Sequence, residues 1–214
     1  EEAVNDYLIS SHPDELQIWL YKPAISLTDP ASWMNHIGGL IIELGEGFDG
    51  SHMAIRFGDD AWSAEPRGFV KLRARDETAY DGEITVFAFT PPLTEFEAFD
   101  VGLCVRHMLG KPYDWLLTGQ RGLKAALRLA RWMGAPPVLD TIAGLLPVDL
   151  LAGQAIMCYE SAARVIRATG RPWQPNLATF GPRDLWEAVG RGELVCRGRA
   201  LNTTATGEGG NERC

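Results

Sequence analysis

Residues 51–57 read SHMAIRF, and their side chains alternate in character. Met53, Ile55 and Phe57 fall on one side of an extended chain, and His52, Ala54 and Arg56 on the other. That period of two predicts a β-strand. Asp59-Asp60 turns the chain, and residues 61–65, AWSAE, return with Ala61, Ser63 and Glu65 sharing a face. Short strands are also predicted over 68–72 and 83–90, EITVFAFT. The apolar run 17–21, QIWLY, lies between Pro13 and Pro23 and reads as an earlier strand. Strands this short and this closely spaced predict an antiparallel sheet.

Helices are predicted around this strand group. Asp29-Pro30 opens one that runs to about residue 44, with Asp29 as its cap. Pro91-Pro92 stops the strand group, and Thr94 caps a second helix that runs to about 109 and closes at Gly110. A helix over 155–169 ends at Gly170 and Pro172, and a short one covers 183–189. Residues 116–154 differ in kind and read as a helical insertion. Its first half carries Arg121, Lys124, Arg128 and Arg131 along one helix face, and its second half is apolar. The fold class expected is α+β, an antiparallel sheet packed on helices. Residues 1–201 form a single domain holding the insertion, and 202–214, small and glycine-rich, form a disordered tail.

The 214 residues suffice for a substantial core. A formal net charge of −8 argues against a nucleic-acid partner, which usually requires a basic surface. It also disfavours an anionic membrane surface, except at a local basic patch such as 121–133. No eighteen-residue apolar run exists, so no spanning helix is expected. The four cysteines, Cys104, Cys158, Cys196 and Cys214, are too widely spaced for a paired-cysteine zinc site. Nothing in their spacing calls for disulfides, and no metal or cofactor is expected.

Cys158 falls in the first turn of its predicted helix. The partial positive charge of a helix N-terminus favours thiolate, which a nucleophilic cysteine requires. The alternative is a buried structural cysteine, since free cysteine is among the most buried residue types. His52 opens its strand. If the His52–Ala54–Arg56 face meets the Cys158 helix, the imidazole accepts the thiol proton. Ser63 and Glu65, on the neighbouring strand, are both candidates to hold the other ring nitrogen. His12, His36 and His107 lack such a context.

Four segments in order carry a resemblance. They are Ser51-His52-Met53-Ala54-Ile55, Ser63-Ala64-Glu65-Pro66-Arg67-Gly68-Phe69-Val70, Gly110-Lys111-Pro112-Tyr113-Asp114-Trp115 and Met157-Cys158-Tyr159-Glu160-Ser161-Ala162. Over about residues 16–189, insertion excepted, the chain resembles the permuted NlpC-like hydrolases of the YiiX/YaeF type. These are papain-like enzymes in which histidine precedes cysteine, and lecithin:retinol acyltransferase is a relative. The resemblance implies Cys158 as nucleophile, His52 as base and an acyl-enzyme on an amide, ester or thioester. It also implies Tyr113 at the site, with Ser63 and Tyr159 as further substrate contacts. The chain departs from the family where Tyr159 replaces a serine, where Ser63 replaces an acidic residue, and in the length between Tyr113 and Cys158. Glu65, two residues beyond Ser63 on the same face, is expected to orient His52 in its place.

The expected substrate is a small acyl or peptide compound, cleaved by a thiol peptidase or amidase, or by a lipid acyl hydrolase or acyltransferase. The basic face of 121–133 and the apolar half after it favour a lipid, with membrane-surface contact. The competing reading is a non-catalytic lipid- or peptide-binding module on the same fold.

Overall fold

A computed structural model describes residues 15–23, 52–65, 67–73, 82–114, 155–177, 179–202 and 211–212, with isolated positions between 119 and 141. Strand β2 (His52–Phe57) turns at Gly58-Asp59 into β3 (Asp60–Glu65). Gly58 takes φ 62°, the positive value that a two-residue hairpin connection favours. The pair is antiparallel, with Ala54 opposite Ser63 and Ile55 opposite Trp62. β4 (Gly68–Arg73) pairs along the other edge of β3.

β1 (Gln17–Pro23) lies between β2 and β5 (Gly82–Phe89), antiparallel to both. It is covered on both faces, which is why its sequence is a continuous apolar run rather than an alternating one. β6 (Leu194–Asn202) and the two-residue β7 (Asn211–Glu212) complete a seven-stranded sheet in the order β4-β3-β2-β1-β5-β6-β7. With helices α1 (Glu95–Met108), α2 (Cys158–Ala168) and α3 (Pro182–Gly190), the fold is α+β.

The sheet separates two apolar layers. One joins Ile18, Leu20, Met53, Ile55, Ala64, Phe69 and Phe87 to the buried residues of all three helices. The other is formed by Trp19, Tyr21, Ala54, Ala61, Ile84, Val86 and Ala200. α2 is the central helix, and every residue from Cys158 to Ala163 is buried.

Several expectations are adjusted. The helix predicted from residue 155 begins at Cys158, because Ala155 and Ile156 are extended and Ile156 bridges to Tyr113 in parallel. The backbone amides of Ile156 and Asp114 satisfy the carbonyls of Pro112 and Ile156, which keeps this stretch out of the helix. β6 was not anticipated. Part of the expected disordered tail is ordered: Asn202 closes β6, and Asn211 and Glu212 pair with Ala200 and Arg199. Cys196, on β6, is disulfide-bonded, although the cysteine spacing gives no reason to need a bridge. The helix predicted from Asp29, and with it His12 and His36, lies outside the described residues. So does most of 116–154, including Arg121, Lys124 and Arg128, although positions 119, 123, 126–127, 130–131, 138 and 141 are helical.

Candidate active site

The backbone brings Cys158 and His52 to one end of the sheet. β2 begins there with His52, β3 ends there with Glu65, and β4 begins there with Gly68. Residues 110–112 run along β4: the amide of Phe69 donates to the Lys111 carbonyl at 2.8 Å, and that of Gly110 to the Phe69 carbonyl at 3.0 Å. Ile156 then pairs with Pro112 and Asp114 at 2.9 and 3.0 Å. Two residues later Cys158 starts α2. Hydrogen-bonded segments thus connect the β3–β4 turn to the nucleophile candidate.

Cys158 is the first residue of α2, and its N-cap, Met157, has an extended backbone and makes no capping bond through its side chain. A thiol on the first residue of a helix lies near the helix's positive end, which favours thiolate. Burial acts the other way, since Cys158 is 2% exposed. The hydroxyl of Ser161 donates to the Cys158 carbonyl at 2.6 Å and ties down the first turn. Elsewhere in the chain, burial pushes the Cys104 thiol upward, with Arg164 and Lys111 opposing weakly.

Among the described residues, Tyr21, Ser63 and Glu65 lie against His52. Tyr21 lies opposite it on β1, with ring centroids 5.5 Å apart and planes tilted by 49°. Ser63 Oγ is 2.7 Å from His52 Nε2 and donates to Glu65 Oε1, also at 2.7 Å. Glu65 Oε1 is 3.5 Å from the same Nε2. Extending the β2–β3 register places Glu65 across from His52, with Ser63 diagonal to it. Ser63 is fully buried, while the His52 and Glu65 side chains are 21% and 30% exposed. The predicted His52, Ser63 and Glu65 group is therefore assembled. Ser63 makes the short contact with the imidazole and Glu65 lies behind it, whereas Glu65 was expected to orient the ring directly.

One geometric expectation is corrected. α2 packs against Met53, Ile55, Ala64 and Phe69, not against the His52–Ala54–Arg56 face. Arg56 is instead buried on the far face, where its Nη1 donates to Gln17 Oε1 and its guanidinium lies 6.0 Å from the Trp19 ring centroid. The wide aromatic layer of Trp19 and Tyr21 fills that face. His52 and Cys158 thus share an end of the sheet rather than a face. His52 and Cys158 are each the first residue of their element at that end.

Tyr113 is half-buried against the α2 layer and bridged to Ile156, next to the Cys158 helix start. Tyr159 is fully buried in that layer, which makes it a packing residue rather than an open substrate contact. Glu160 is 2% exposed and receives the Arg164 Nε at 2.8 Å, one turn along α2. His107 lies exposed in the last turn of α1. Sequence reasoning missed Tyr21. Its place beside His52 depends on β1 pairing with β2, which no local pattern encodes. No family model matches the chain, and neither does any curated protein or any solved structure.

Proposed function

We propose that the chain is a cysteine hydrolase or acyltransferase of the permuted NlpC-like, papain-like type, with Cys158 as nucleophile and His52 as base. One observation carries the reading: a hydrogen-bonded His52–Ser63–Glu65 group stands at the same end of the sheet as a cysteine that begins a central helix. The imidazole takes the thiol proton, and the thiolate attacks the carbonyl carbon of an amide, ester or thioester. The electron pair of the carbonyl moves to oxygen, facing the backbone N–H groups of the first turn of α2. As the tetrahedral adduct collapses, the imidazolium gives its proton to the leaving group. Water, or an acceptor hydroxyl or amine, then releases the acyl group, with His52 again acting as base.

The competing reading, a non-catalytic binding module, is favoured by the burial of Cys158 and by the placement of α2 on the face opposite His52. Turnover decides between the two. The intact protein is offered a short peptide amide, a soluble acyl thioester and anionic phospholipid vesicles. Release of acyl product by wild type, and none by Cys158→Ala, supports the enzyme. Equal, background-level release by both proteins contradicts it. Which of the three compounds is cleaved separates the peptide from the lipid class.

A further inference from the structure

We propose that Ser63 is a positioning residue that relays Glu65 to His52 and fixes the imidazole tautomer; its catalytic meaning rests on the function proposed above. A serine hydroxyl has a single proton and two acceptor lone pairs. The Glu65 carboxylate only accepts, so the 2.7 Å contact between Ser63 Oγ and Glu65 Oε1 uses that proton. Ser63 Oγ then has only lone pairs to offer to His52 Nε2, also 2.7 Å away. Nε2 must carry the hydrogen and donate it. Nδ1 is left as the basic nitrogen, the one that exchanges a proton with a thiol.

Glu65 does not do this directly. Its oxygen is 3.5 Å from Nε2, outside the usual N–H···O range of about 2.7–3.2 Å. Ser63 is not itself the nucleophile, because its proton points to Glu65 and its side chain is fully buried. Among the described residues, three titratable or charged groups on the same sheet face are placed relative to the imidazole. Tyr21 faces it from β1, Glu65 from β3, and Arg56 lies further along the same face of β2, bonded to Gln17. Of these only Glu65 reaches the ring through a hydroxyl. A carboxylate one hydroxyl away stabilises imidazolium while leaving the neutral ring in one tautomer.

The test reads the tautomer directly. Long-range proton–nitrogen spectra of ¹⁵N-histidine-labelled protein are recorded above the titration of the ring, with His52 assigned through His52→Gln. Wild type is expected in the Nε2–H form. Ser63→Ala removes the acceptor, so the two tautomers become comparably populated. Glu65→Ala frees the serine proton to donate to Nε2, so the Nδ1–H form gains. The two variants are independent, and Glu65 is partly exposed, so its truncation keeps the test open if Ser63→Ala misfolds. Wild type in the Nδ1–H form, or variants that keep the wild-type tautomer, overturns the proposal. Repeating the spectra in Cys158→Ala makes the result independent of turnover. Should the tautomers shift as expected while no acyl compound is cleaved, the relay stands and the enzyme reading fails. Where turnover is measurable, kcat/KM for Ser63→Ala should fall about 10²-fold, the low end of a positioned general base.

Discussion

At Gly68 the backbone takes φ +115°, and a Cβ there would lie 2.5 Å from the Lys111 carbonyl oxygen. Both facts require glycine, and both act where residues 110–112 hydrogen-bond to β4. Gly68→Ala is expected to destabilise the protein by about 1–3 kcal/mol, the usual cost of a residue held in such a conformation. Urea unfolding of wild type and variant measures it, and equal midpoints would contradict the close approach. The residues of the site were legible to different depths. A period of two put His52 on one face of its strand, and Ser63 and Glu65 together on one face of theirs. It did not reveal which of the latter two touches the ring. That depends on a diagonal rather than a direct cross-strand contact, and on rotamers that no spacing records.

At the scale of elements, α1 shows why its sequence was easy to read. Thr94 Oγ1 accepts from the Glu97 amide, and the Glu97 carboxylate accepts from the Thr94 amide, a reciprocal cap written locally in the chain. What the local pattern hides is Arg171, just beyond the C-terminal end of α2, whose Nε and Nη2 reach the same carboxylate at 2.7 and 3.1 Å. The Arg171 bonds first, then the Thr94 amide, lower the Glu97 carboxyl from 4.5 to about 2. A carboxyl lowered by folding contributes stability above its unfolded value, and that stability drains away as pH falls through the folded one. Glu97→Gln should therefore cost stability at pH 7, and the gap from wild type should close between about 4.5 and about 2. Denaturant unfolding at pH 7, 4 and 2 follows the gap, and a pH-independent gap would contradict the assignment. β6 escaped the sequence for a physical reason. Its pairing with β5 slips between Val86 and Phe87, and this bulge beside Arg197 and Gly198 breaks the alternation by which a strand is recognised.

Over the whole molecule, two apolar layers enclose one sheet, and the layer under the helices holds Cys158. Strands β2 to β5 and the three helices were legible because each carries its own period, cap or stop. The side of the sheet on which α2 rests was not. Both faces of β2 are buried and its neighbour β1 is apolar from Ile18 to Tyr21, so the sequence does not mark which face the helix covers. That ambiguity bears on the central claim, because a buried cysteine on the face opposite its base is inert unless imidazole and thiol meet over the end of the sheet. The rate of iodoacetamide labelling at Cys158, mapped by mass and followed against pH, tests this most directly. Cys104 is an internal control, since burial raises its pKa, and disulfide-bonded Cys196 does not label. The account predicts that Cys158 labels in the native protein well below the ordinary thiol value of about 8.5, and that His52→Gln removes this low-pH reactivity. If Cys158 labels no faster than Cys104, or with an ordinary thiol profile that His52→Gln leaves unchanged, then Cys158 is a packing residue and the chain is not a cysteine hydrolase.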